Sequence, residues 1–296
     1  MEYDSIIVGM GVAGITAAIY AKRAGNNVLI IEKSRPGGIL NIIDNIENYP
    51  GFKSISGPDL SLKLFEQITA LQIPYKMEEV KEILTNEEEK IVVTNNATYK
   101  AKNILIATGR SPLLLGLPNE EALVGKGIST CALCDGTLYK GKEVAVVGGG
   151  NSALQEALYL SKIVKKIYLI HRREEFRGEN ELAEKIKKTN NIEILYNSQV
   201  TELIEKDNKL EAIKINNDKK ISISALFIYV GYAPKTDFVN KLGITNSAGY
   251  IEVNENYETK VEGIYAAGDI IIKKVYQIVT AAAEGATAAI RFSRKK

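Results

Sequence analysis

The chain has 296 residues, 45% hydrophobic and 25% charged, values that exclude wholesale disorder and allow two domains or one large one. Its 38 Lys+Arg against 36 Asp+Glu leave a net charge of +2, which offers no electrostatic basis for binding nucleic acid or an anionic membrane surface. No apolar run reaches the roughly 18 residues of a membrane span, and the N-terminus shows no basic leader or cleavage pattern, so a cytoplasmic chain without a membrane partner is expected.

The first predicted element is a short buried strand at residues 5–8. Gly9, Gly11 and Gly14 follow in the spacing G-x-G-x-x-G, and a helix rich in small residues covers 13–23, ending near Gly25. A second strand at 28–31 closes on Glu32, 18 positions after Gly14. Gly9 allows a tight turn, Gly11 lets backbone approach a pyrophosphate, and Gly14 lets helix and strand pack closely. Backbone N–H groups and the helix dipole would hold the anion, and Glu32 is placed to accept hydrogen bonds from an adenosine ribose. Further on, "NILIATGR" places Thr108 and Gly109 just past another buried strand.

"CALCDG", residues 131–136, holds the only two cysteines, Cys131 and Cys134. Structural zinc wants about four Cys or His ligands, and this chain adds only His171 to its two thiols, so no metal is expected. A stapling disulfide would not persist in a reducing compartment. A redox dithiol is the leading reading, with accidental spacing the alternative.

The next elements repeat the first unit. A strand at 143–147 leads into Gly148, Gly150 and Ala153, then a helix to about Ser161 and a strand at 167–170. Ala at the third turn position still permits close packing. Where the first unit has Glu32, this one has His171, followed by Arg172, Arg173 and Arg177 in "HRREEFR". A carboxylate would repel a 2′-phosphate, whereas guanidinium groups bind one, so the pattern points to NADPH rather than NADH. The alternative is a solvated basic face at a helix start. His171 is expected to pack beside an adenine. "ALFIYVGYAPKT" carries a strand to Gly231, and "GIYAAGDI" ends a strand at Gly268-Asp269. Asp269 is suited to sugar or ribityl hydroxyls. The small-residue helix after it would stabilise negative charge on a reduced flavin through its N-terminal end.

The order of G-x-G-x-x-G, "ENYPG", "ATG", "CALCDG", "GGGNSA", "HRREEFR" and "AAGD" resembles the low-molecular-weight bacterial thioredoxin reductases over essentially the whole chain. The resemblance implies an α/β fold of two Rossmann-like dinucleotide-binding domains. An NADPH domain carrying the CxxC pair, 113–244, would be inserted into a discontinuous FAD domain, 1–112 and 245–296. It implies a homodimer whose partner is thioredoxin, and rotation of the inserted domain about hinges near Ser111-Pro112 and Gly243-Ile244. Carried over by motif, the FAD contacts are Gly9, Gly11, Gly14, Glu32, Lys33, Gly37, Gly38, Ile39, Asn48, Thr108, Gly109, Asp269, Tyr276, Gln277 and Ile278. The NADPH contacts are Gly150, Asn151, Ser152, Ala153, His171, Arg172, Arg173 and Arg177. Cys134 would face the flavin, Cys131 would attack thioredoxin's disulfide, and Asp135 would move protons for the thiols. Two positions depart from the family pattern: Ile39 stands where Gln is usual, and Tyr276 where Arg is usual.

Three other readings share parts of this pattern. One is a flavin disulfide reductase for a glutaredoxin-like protein, a peroxiredoxin or a low-molecular-weight disulfide. Another is a ferredoxin-driven reductase or dithiol oxidase, against which the three arginines count. The third, a non-catalytic nucleotide-binding flavoprotein, leaves the dithiol unexplained.

Overall fold

Runs such as Ile6, Ile7 and Val8 become strands because apolar side chains on both faces of the backbone find cover. The computed structural model describes residues 2–43, 45–86, 89–216 and 219–294. Strand Glu2–Val8 runs parallel to Val28–Glu32 on one side and to Thr98–Ile106 on the other, with Ile6 opposite both Leu29 and Ile104. It begins at Glu2 rather than residue 5 because Glu2 and Tyr3 extend the ladder along Lys100 and Ala101.

Two compact units divide the chain. The first runs to Ser111 and resumes at Ala233; the second is Pro112–Tyr232. Among the described residues the first unit holds a seven-stranded sheet. Its order is Tyr75–Met77, Val28–Glu32, Glu2–Val8, Thr98–Ile106, Lys90–Thr94, Val80–Thr85. Strand Thr98–Ile106 also pairs in parallel, near its end, with Ile264–Ala266. Helices Val12–Arg23 and Ile278–Arg294 share one core with the sheet, their Ala17, Ala18, Ala21, Ala288 and Ala289 all buried. A second core on the sheet's other face gathers Ile6, Val8, Ile104, Val239, Ile244 and Ile251.

That second core corrects the expected domain limits. The first crossing falls between Ser111 and Pro112, but the second lies between Tyr232 and Ala233 rather than at 244/245. The reason is packing. Val239 and Ile244 are almost fully buried beside Tyr3, Ile6 and Ile264, so residues 233–244 belong to the first unit. Each such burial contributes about 1.5–3 kcal/mol, enough to fix this segment's allegiance. The expected hinge position Gly243-Ile244 lies inside the first unit, away from the 232/233 crossing.

The second unit has a five-stranded, all-parallel sheet among the described residues, in the order Ile192–Leu195, Lys166–Ile170, Glu143–Gly148, Ala225–Tyr229, Ile128–Ser129. Helices Asn151–Ser161 and Asn180–Lys187 cover one face. An antiparallel three-stranded sheet, Val200–Lys206, Lys209–Ile215 and Lys219–Ser222, supplies apolar side chains to the core on the other. A sheet covered on both faces needs continuous apolar strands, as in "VAVV" and "LFI". Among the described residues, no helix is long and apolar enough to cross a membrane.

Candidate functional site

In the first unit the glycine turn joins strand Glu2–Val8 to helix Val12–Arg23. Gly9 has φ +103, and a Cβ there would lie 2.5 Å from the Ala107 carbonyl oxygen, so only glycine lets this turn sit against the "ATG" segment. The space in front of Gly11 is open: a Cβ there would meet nothing within 4 Å. No side chain caps the helix, whose first amides therefore remain available to an anion.

Glu32 does something the sequence reading did not anticipate. It is buried, and its Oε2 accepts the Met10 amide at 2.8 Å while Oε1 accepts the Ser34 amide at 2.9 Å. The carboxylate thus braces the glycine turn, and its remaining lone pairs are what it can offer a ribose. Gly9, Glu32, Lys33, Thr108 and Gly109 line one cavity of about 250 Å³. Val80, Lys81, Lys235 and Phe238 complete its wall, residues no motif had marked.

Gly38 lies against the same turn, its Cβ position 3.6 Å from the Gly11 Cα. The Asn48 side-chain amide donates to Gln277 Oε1 at 3.2 Å, which joins two expected FAD residues far apart in the chain. Ile278 begins the helix Ile278–Arg294 and packs on the core, whereas Ile39 is exposed. Asp269 is held by two cations: Oδ2 is 3.0 Å from Arg110 and Oδ1 is 3.3 Å from Lys273. Arg110 also lies 4.0 Å over the Tyr276 ring. Lys273 reaches Glu284 at 3.0 Å, and Glu284 accepts the Gly268 amide at 2.8 Å. Burial pushes the Glu284 carboxyl above its ordinary range, with Lys273 pulling against it. Arg110, Lys273 and Glu284 had no sequence signature beyond their nearness to "ATG" and "AAGD".

An open glycine turn, an uncapped helix start and a braced carboxylate fit a dinucleotide, so these residues suit FAD. Purified protein is expected to be yellow, with about one non-covalent FAD per chain. Denaturation and chromatography check this; release of FMN, or no flavin after reconstitution with FAD, would contradict it.

In the second unit the turn after Glu143–Gly148 is equally open at Gly150, the uncapped N-cap of helix Asn151–Ser161. Ser152 is exposed and Ala153 buried, so Ala153 has only its backbone to offer a ligand. Asn151 is engaged locally, donating to Glu179 Oε1 at 2.8 Å and accepting the Glu179 amide at 2.7 Å. His171 is 5% exposed, with its ring against Gly149, where a Cβ would overlap it, and Nε2 2.9 Å from the Glu175 carbonyl. It packs on the glycine turn and also lines a cavity beside it. Burial, reinforced by Arg177, Arg173 and Arg172, holds its pKa below the ordinary value, so the ring stays neutral at pH 7.

Residues 171–177 form bends rather than a helix start; the helix begins at Asn180. Arg172, Arg173 and Arg177 are exposed, with no ion pair among the described residues. Arg172 and Arg177 line a cavity of about 310 Å³ with Gly148, Gly149, His171 and Tyr229. Arg173 and Arg177 flank an adjoining open depression with Phe176 and Asn197. Unpaired guanidinium groups beside an open glycine turn fit the 2′-phosphate of NADPH.

The same unit carries the dithiol. Cys131 and Cys134 form a disulfide with an S–S distance of 2.09 Å. Cys131 is half-buried at the N-cap of the short turn Ala132–Asp135, and its Sγ accepts the Cys134 amide at 3.0 Å; Cys134 is exposed. Asp135 Oδ2 accepts the Ser129 hydroxyl at 2.6 Å. The Ala132 amide donates to the Tyr229 hydroxyl at 2.8 Å, so one side chain holds the dithiol turn and also lines the arginine cavity. Burial raises the Tyr229 phenol well above its usual range, which keeps it neutral. Tyr139, next along the chain, is raised by burial and by the charge of Asp135.

The family model for pyridine nucleotide-disulphide oxidoreductases matches residues 3–285. The thioredoxin reductase of Bacillus subtilis (strain 168) is 41% identical over 292 residues, 97% of this chain and 92% of that protein. That of Mycoplasma genitalium is 42% identical over 296 residues, covering 98% and 94%. The crystal structure of Lactococcus lactis thioredoxin reductase superposes with a TM-score of 0.91 at 35% identity, covering 99% of this chain and 100% of that one.

Proposed function

Because the chain belongs to the pyridine nucleotide-disulphide oxidoreductase family, and within it to the thioredoxin reductases, we propose that it passes electrons from NADPH to oxidised thioredoxin through Cys131 and Cys134. The observation that carries this reading is the closed Cys131–Cys134 disulfide with Asp135 beside it, in the unit that also bears Arg172, Arg173 and Arg177. The first unit is the FAD-binding domain and the second the NADPH-binding domain. When bound, FAD and NADPH supply the hydride and the two-electron relay that reduce the enzyme disulfide.

Gly9, Gly11, Gly14 and the amides after them would hold the FAD pyrophosphate, and Glu32 and Asp269 would serve its hydroxyls. The backbone of Gly150, Asn151, Ser152 and Ala153 would hold the NADPH pyrophosphate, and Arg172, Arg173 and Arg177 would select its 2′-phosphate. In the reduced enzyme the Cys131 thiolate is the nucleophile, steadied by the Cys134 amide that already points at its sulfur. It attacks one sulfur of the thioredoxin disulfide, forming a mixed disulfide and releasing the second thioredoxin sulfur as a thiolate. Cys134 then attacks Cys131 Sγ, which restores the enzyme disulfide and releases the first thioredoxin sulfur. Two electrons have moved, and the two released thiolates require two protons. Asp135 delivers and collects them. The enzyme works in the cytoplasm as a homodimer, in keeping with the family resemblance and with a dithiol cycled in a reducing compartment.

Replacing Asp135 with Asn keeps the side chain's shape and its bond to Ser129 but removes its proton. Thiol–disulfide exchange should slow by roughly 10²-fold or more while flavin reduction by NADPH keeps its rate. Stopped-flow traces separate the two, and a variant slowed only in flavin reduction would refute this role. The reading as a whole is tested by anaerobic titration with NADPH and NADH, offering oxidised thioredoxin, a glutaredoxin-like protein or a low-molecular-weight disulfide. Rapid NADPH-driven reduction confined to thioredoxin supports it. Reduction of one of the other disulfides in its place would reassign the partner.

A further inference from the structure

Ser129 has no part in the reaction as written, yet it sits at the centre of the dithiol's hydrogen bonds. It ends the strand Ile128–Ser129, opposite Phe227 in the parallel sheet, and is 4% exposed. Its Oγ is 2.6 Å from Asp135 Oδ2 and 3.2 Å from the Cys131 carbonyl, and it accepts the Cys131 amide at 3.0 Å. A hydroxyl has one proton to give. The shorter distance assigns that proton to Asp135. One buried oxygen therefore ties the acid and the backbone of the first cysteine to the central sheet.

We propose that Ser129 is a positioning residue for the thiol–disulfide steps, holding the Asp135 carboxylate toward the cysteine pair while fixing the Cys131 amide. This rests on the reading of Cys131, Cys134 and Asp135 given above. A short turn of four residues, Ala132–Asp135, has little rigidity of its own. The bond from Ser129 does not involve sulfur. It keeps the acid in place through both redox states.

The test compares Ser129→Ala with Ser129→Thr in the FAD-loaded enzyme. Ser129→Ala cannot donate to Asp135 or accept from Cys131. Thioredoxin reduction should fall about tenfold, with flavin content and the rate of flavin reduction by NADPH kept. Ser129→Thr keeps the hydroxyl and should restore the rate.

In an Asp135→Asn background, Ser129→Ala should add less than about twofold, since both changes act through one group. Ser129→Gly gives a second hydroxyl-free form should the alanine protein fold poorly. If the parent reduces thioredoxin and the hydroxyl-free variants match it in rate, the inference falls and the proposed function stands. If the parent itself fails to reduce thioredoxin, both fall.

Discussion

Cys131→Ser and Cys134→Ser are each expected to abolish NADPH-driven reduction of thioredoxin while flavin reduction by NADPH continues. Serine has no sulfur to enter an exchange, and neither cysteine alone can close the enzyme disulfide. The two variants should nevertheless differ. With Cys134→Ser, reduced Cys131 can still attack thioredoxin but nothing resolves the product, so a covalent enzyme–thioredoxin adduct should accumulate on non-reducing gels. Cys131→Ser should give no adduct. The comparison matters because Cys134 is the more exposed of the pair in this structure, while the family resemblance assigns the attack to Cys131. An adduct formed only by Cys131→Ser would exchange the two roles. Adducts from neither, with activity retained, would remove the dithiol from the pathway.

The second large effect concerns cofactor choice. Arg172 and Arg173 are exposed, carry no ion pair among the described residues, and directly follow His171, the counterpart of Glu32 in the first unit. Replacing both with Ala should raise KM for NADPH by roughly ten- to a hundredfold or more, with kcat little changed and use of NADH much less affected. Because the guanidinium groups are solvent-exposed, the parent's preference for NADPH should also weaken as salt is raised. Steady-state kinetics with both nucleotides check this. Equal losses with NADPH and NADH would mean that the arginines support the fold of residues 171–177 and do not read the phosphate.

Both nucleotide turns were legible because their signals are local. A strand, a glycine turn and a helix of small residues fall within about thirty positions, and the backbone needs those residue types wherever the rest of the chain goes. The dithiol was legible for a different reason: both cysteines of the chain lie in one turn. What stayed hidden was decided by contacts between distant segments. Residues 233–244 carry no mark of their domain, and only the burial of Val239 and Ile244 beside Ile6 and Ile264 assigns them. Glu32 was read as a ribose ligand, yet its strongest visible task is to hold the amide of Met10, a geometry that spacing does not encode. His171 was expected beside an adenine; that its ring also fills the space left by the missing side chain at Gly149 is not encoded in spacing. Tyr229 supports the dithiol from 97 positions away, and Asp269 meets Arg110 across 159. Ser129 was within reach of sequence reasoning, since it lies two positions before Cys131 and six before Asp135, but serine beside a dithiol forms no recognised pattern.

Electron flow from NADPH to thioredoxin through the two cysteines is tested most directly by counting thiols. The FAD-loaded enzyme is incubated anaerobically with a limiting, known amount of NADPH and excess oxidised thioredoxin, and the thiols on re-isolated thioredoxin are titrated. Two new thiols per NADPH consumed, falling to none on free thioredoxin with Cys134→Ser, is the predicted result. NADPH consumption with no thiols on thioredoxin, or an undiminished yield from Cys134→Ser, would contradict the account.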